Sequence, residues 1–75
     1  MTFSIRVVDS DGDPRSGVRV YVDYGLMNGG ATEYTDDDGW AVFEPSGDYS
    51  NAEFYVDGDS KGSYGIADGE TFSFT

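Results

Sequence analysis

Gly17-Val18-Arg19-Val20-Tyr21-Val22-Asp23 decides the fold. Valine stands at every second position, and Arg19, Tyr21 and Asp23 stand between. That is the period of a strand with one dry and one wet face; a helix turning every 3.6 residues would scatter the valines around its axis. On the N-terminal side, Asp9-Ser10-Asp11-Gly12-Asp13-Pro14 is turn chemistry, and before it Phe3, Ile5 and Val7 alternate with Ser4 and Arg6 as a first strand. On the C-terminal side the same grammar repeats. A loop spans Gly25 to Ala31, a short third strand Thr32 to Thr35, and Asp36-Asp37-Asp38-Gly39 is a turn. Trp40 to Glu44 is a fourth strand, Pro45-Ser46-Gly47-Asp48 a loop and Ala52 to Val56 a fifth strand. Asp57-Gly58-Asp59 forms a hairpin turn, and Ser60 to Ile66 and Thr71 to Thr75 follow as strands around Ala67-Asp68-Gly69-Glu70. Seven short strands at this spacing predict one all-β domain over residues 1–75: a seven-stranded Greek-key β-sandwich of the immunoglobulin or prealbumin kind.

At 75 residues the chain sits near the lower limit for an independent core, burying only roughly 60% of its unfolded surface. Of the usual supplements, disulfides are excluded because there is no cysteine. Histidine is absent as well, which removes the commonest general base and the commonest ligand for zinc, copper or iron. Any metal has to be a hard, oxygen-preferring ion such as calcium. The hydrophobic fraction is 37% but the aromatic fraction is 16%, so a few large rings carry the core. No apolar run of about 18 residues is present, so no membrane span is expected. Met1 leads directly into the first strand pattern, so no cleaved signal is expected, and a cytoplasmic or virion-associated place in a salt-rich host fits.

The formal charge is −11, from 15 acids against 4 cations. Such a polyanion repels nucleic acid and anionic membranes, both of which are bound through basic patches. Abundant Asp with a single Lys has the composition of halophilic proteins, in which salt screens the self-repulsion.

Two blocks carry a family likeness. Val7-Val8-Asp9-Ser10-Asp11-Gly12-Asp13-Pro14 followed by Gly17-Val18-Arg19-Val20 resembles the opening of carboxypeptidase regulatory-like domains, within the transthyretin-like and Cna-B-like sandwiches. Thr35-Asp36-Asp37-Asp38-Gly39-Trp40-Ala41-Val42-Phe43 resembles that family's turn-and-strand signature, and Gly47-Asp48-Tyr49 is a fainter echo. The resemblance implies the sandwich fold and a role as spacer, stalk or adhesive module; it implies no chemistry. It also implies that Ala41 and Phe43 face inward and Trp40 and Val42 outward. The lysine–asparagine crosslink of some Cna-B-like domains is not expected, because the only lysine, Lys61, falls late in the chain.

If consecutive strands run antiparallel, the first, third and fifth connections share one pole, gathering Asp9, Asp11, Asp13, Asp36, Asp37, Asp38, Asp57 and Asp59. Asp9, Asp11, Asp13, Asp36 and Asp38 form the candidate calcium set, competing with plain turn chemistry. Arg6, Arg15, Arg19 and Lys61 fall in the same half. Trp40, Val42, Tyr21 and Tyr55 are expected to form one outward aromatic patch, and Leu26 and Met27 to cap a loop tip suited to docking; these six are the candidate partner-binding residues. The leading functional expectation is a small, non-enzymatic structural or assembly module that binds other protein surfaces or copies of itself, as a virion decoration or appendage component does. The alternative is a calcium-assisted carbohydrate- or ligand-binding module.

Overall fold

Inward valines need a second apolar layer, and the computed structural model, which describes all 75 residues, supplies it by folding the chain into two sheets. The strands are β1 (Phe3–Val7), β2 (Arg19–Asp23), β3 (Gly30–Tyr34), β4 (Trp40–Phe43), β5 (Asn51–Val56), β6 (Asp59–Gly65) and β7 (Thr71–Phe74). One sheet has the order β4-β1-β7, the other β3-β2-β5-β6. Every pairing is antiparallel except β1 with β7. Strand β3 begins two residues before the expected Thr32, because Gly30 and Ala31 already pair with Asp23 and Val22.

The alternation read from the sequence is the burial pattern. Phe3, Ile5, Val7, Ala41 and Phe43 bring the inner face of the first sheet against Val20, Val22, Ala52, Phe54 and Val56 of the second. The sheets meet through rings: Phe3, stacked on Phe43 of its own sheet at 5.3 Å, reaches across to Phe54 at 6.0 Å between centroids. On one side of the layer β3 runs beside β4. On the other, β6 and β7 belong to different sheets, and half-buried Tyr64, Phe72 and Phe74 fill the gap, each ring packing on Phe54. Along β6 the register shifts opposite Phe54 and Tyr55, leaving Lys61 without a partner between Ser60 and Gly62. The Tyr64 hydroxyl closes this bulge by donating to the Lys61 carbonyl at 2.6 Å.

Two glycines are dictated by close approach. A Cβ on Gly39 would stand 2.6 Å from the Val7 carbonyl oxygen, and its φ of +84° is left-handed. Gly30 has no such φ; its bare α-carbon lets the Tyr21 ring lie across β3, where any side chain would strike the phenol.

Just past β3, Thr35 is buried at 5% exposure. Its Oγ1 accepts from the Val18 amide at 2.9 Å and donates to the Arg15 carbonyl at 2.6 Å. One hydroxyl thus satisfies two backbone groups where the first connection enters β2. Thr35→Val keeps the shape but orphans both groups. We expect a loss of about 1–3 kcal/mol, read as a lower urea midpoint at unchanged slope.

Tyr24 is the opposite case. Buried beside Phe3 and stacked on Tyr49 at 4.7 Å, its hydroxyl has no hydrogen-bond partner. Burial, followed by the neighbouring Tyr49 and Glu33, raises its pKa from 10.0 to about 12. The folded state therefore holds this proton where the unfolded chain has released it, so stability is full below pH 10 and declines from there to about 12. Urea midpoints at pH 9 and 11 should fall less in Tyr24→Phe than in the parent chain. At neutral pH the variant should be as stable as the parent or up to about 1 kcal/mol better.

Candidate functional site

Three connections do converge at one pole. The Gly17 amide donates to the Thr35 carbonyl at 2.8 Å, the Val7 amide to the Gly39 carbonyl at 2.8 Å, and the Asp57 amide to the Arg19 carbonyl at 2.8 Å. Two of these corners are the same device. In the first, Asp9 Oδ1 accepts from the amides of Asp11 and Asp13 at 2.9 and 3.0 Å, while its backbone carbonyl takes the Gly12 amide and its amide reaches the Asp13 carbonyl. In the second, Asp36 Oδ1 accepts from Asp38 and Trp40, both at 2.9 Å, with the Gly39 amide and the Trp40 carbonyl completing the ring. Asp-x-Asp-Gly-x closes itself: the carboxylate replaces water for two amides, and glycine takes the left-handed step at φ +87° or +84°.

The structure gathers three of the five candidate carboxylates. Carboxylate oxygens of Asp9, Asp11 and Asp13 lie within 4.8 Å of one another, but Asp36 and Asp38 do not join them. Three exposed carboxylates, one already holding two amides, fall short of the six to eight oxygens that calcium takes unless water completes the shell.

The expected single aromatic patch is two. Trp40 and Val42 lie on the outer face of the three-stranded sheet, Tyr21 and Tyr55 on the outer face of the four-stranded one, with the core between them. On the first face Val42 is 47% exposed, and the Arg6 guanidinium sits 5.6 Å from the centre of the half-buried Trp40 ring. Arg6 Nε is held by the Asp38 carbonyl at 3.2 Å. On the second face Tyr21 and Tyr55 are cross-strand partners, with ring centroids 5.8 Å apart. With Arg19 and Gly58 they line a shallow hollow of about 200 Å³. Hydrogen bonding to the adjacent Glu53 carboxylate raises the Tyr55 phenol above its ordinary range, and the same carboxylate accepts from Ser60 Oγ at 2.9 Å. Arg19, outward by the strand period, and its cross-strand partner Tyr34, which is 63% exposed and was not among the candidate residues, extend this face.

At the other pole, the β2–β3 loop is a closed turn. The amides of Asn28 and Gly29 reach the Gly25 carbonyl, the Tyr24 amide reaches Gly29, Asp23 Oδ1 takes the Gly25 amide, and the Asn28 side chain donates to the Tyr24 carbonyl. At its tip Leu26 is 100% and Met27 91% exposed. The largest hollow, about 300 Å³, is open and brings Asp48 and Asp68 together beside Tyr49 and Ile66. Asp68 Oδ1 is engaged there by the Thr2 amide at 2.8 Å.

The chain matches no protein-family model, no curated protein and no solved structure.

The corners predict their own test. Asp9→Ala and Asp36→Ala should each lower stability by about 1–2 kcal/mol, equally in chelator and in calcium, because each removes the acceptor of two amides. A melting temperature that rises with calcium in the parent chain but not in Asp11→Asn would instead make the first corner an ion site.

Proposed function

We propose that this chain is a non-enzymatic contact module that binds another protein surface through the tip of the β2–β3 loop. The carrying observation is the pair Leu26 and Met27, both almost wholly in water on a turn fixed by its own hydrogen bonds. Two large apolar side chains held out by an ordered backbone lose little further freedom on docking, so most of their burial is left to stabilise a complex. Methionine also adapts its shape to the surface it meets.

The reading extends to architecture. The chain passes from the first sheet to the second after β1, back after β3, across again after β4, and back after β6. This order supports a Greek-key sandwich of the prealbumin kind and a place among carboxypeptidase regulatory-like domains, which serve as spacers and adhesive modules. A structural or assembly role, as in a virion decoration or appendage, asks nothing further of it. The calcium-assisted ligand-binding alternative keeps only the first corner's three carboxylates and the Tyr21–Tyr55 hollow as support.

The test isolates the chain from its native host under gentle conditions and asks whether it copurifies with an assembly; a chain that copurifies with none counts against the reading. Leu26→Ser with Met27→Ser should cut incorporation about tenfold or more, the effect of losing a contact anchor. The urea midpoint should stay within the equivalent of about 0.5 kcal/mol, since neither side chain packs in the core. Full incorporation of the double variant would refute the assignment of this tip.

A further inference from the structure

Charge is unevenly spread over this polyanion. The outer face of the β4-β1-β7 sheet presents Trp40 and Val42 from β4, Ser4 and Arg6 from β1, and Thr71 and Ser73 from β7, with no carboxylate among them. Around the free edge of β7 the acid-free band continues through residues 60–66 of β6 and its end, whose only charge is Lys61. The opposite outer face has Asp23 and Glu53 in its central strands, Glu33 lies exposed within β3, and the remaining acids lie in the connections and at strand ends.

We propose that this face is a homotypic interface, and that its occupant is a second copy of the same chain packed sheet to sheet over Trp40 and Val42. The argument is independent of the loop tip and rests on area and charge together. A stable interface takes roughly 800 Å² from each partner, close to a fifth of this chain's 4382 Å² of surface. A self-interface must therefore occupy a whole side of the molecule. With 15 acids in all, an average fifth of the surface carries about three of them, and two copies meeting there would bury like charges against each other. The outward strand residues of the β4-β1-β7 face bring no carboxylate into such a contact, and the adjoining Glu44 and Glu70 stand beyond the strand ends. The face also holds the fold's one tryptophan, partly covered already by the Arg6 guanidinium and so ordered before contact. A basic partner would be drawn instead to the acidic poles. For a second copy, these same poles supply a long-range repulsion between two −11 bodies that salt removes.

The interface therefore has an unusual signature: it tightens with salt. Sedimentation equilibrium of the full chain, from about 10 μM to 1 mM, in about 0.15 M and about 2 M potassium chloride, measures it. The dimer fraction should rise with both variables, and the emission of Trp40, the only tryptophan, should move to shorter wavelength as dimer forms. Ser73→Asp should weaken association about tenfold or more, whereas Thr32→Asp, on the opposite outer face, should change it less than about twofold. Thr71→Glu repeats the test should Ser73→Asp unfold. A monomer under all conditions, association that weakens with salt, a dimer that leaves Trp40 emission unmoved, or equal effects of the two aspartates would each overturn the proposal.

Discussion

Everything in this molecule depends on the contact between Phe3 and Phe54 across the two sheets. Phe3, from the central strand of the three-stranded sheet, stacks on Phe43 beside it and on Phe54 opposite. Phe54 in turn receives the edges of Phe72 and Phe74 and the face of Tyr64. Six rings, drawn from β1, β4, β5, β6 and β7, thus make one continuous aromatic layer. The aliphatic residues, chiefly valines of one size, fill what the rings leave. In a chain with so few apolar residues this economy has a structural consequence. Rings reach across the gap between sheets, so a small number of side chains couples both sheets into one cooperative unit.

Strand existence was legible because burial imposes a period of two, and all seven strands fall within two residues of where alternation places them. The corners were legible for a different reason: Asp-x-Asp-Gly-x carries its own hydrogen-bond acceptors and its own left-handed residue, so it needs nothing from the rest of the fold. What the period cannot tell is which sheet a strand joins. Trp40 and Tyr21 both read as outward, and both are; yet β4 and β2 lie in different sheets, so "outward" means opposite sides of the core. Carboxylate direction was equally out of reach. Adjacent loops were correctly gathered at one pole, but Asp36 turns its oxygen onto its own corner rather than toward Asp9. Thr35 and Gly30 escaped notice because their importance comes from partners far along the chain: the Arg15 carbonyl and the Val18 amide for one, the Tyr21 ring for the other.

The acids serve folding locally and oppose it globally. Asp9, Asp23, Asp36 and Asp68 each satisfy at least one backbone amide that would otherwise need water, and this local service is indifferent to ionic strength to a first approximation. Their summed field is a different matter. Fifteen like charges on a body with a radius of gyration of 11.6 Å repel one another across distances comparable to the Debye length at physiological salt. The same residues that make the turns inexpensive to form therefore also add a repulsion to the compact state that salt reduces. Replacing one of them by a neutral side chain exchanges a lost turn acceptor for relieved repulsion, two effects of opposite sign that salt separates.

That separation also explains where contact is physically economical. A surface rich in carboxylates keeps its water; to bury it is to desolvate charge. The places free of that cost are few: the loop tip, where the Asp23 carboxylate accepts from the Gly25 amide and the apolar pair stands at the tip, and the face of the β4-β1-β7 sheet, where the one cation among the outward strand residues lies over a ring. Both are built on backbone whose hydrogen bonds are made within the domain, by a closed turn in one case and by a sheet in the other. The two surfaces differ in one respect that matters. The tip is narrow and suits insertion into a hollow on something larger, whereas the sheet face is broad and suits a partner of matching flatness. The two surfaces also point in different directions, so an occupant of one leaves the other open, and the carboxylates that surround both keep their water.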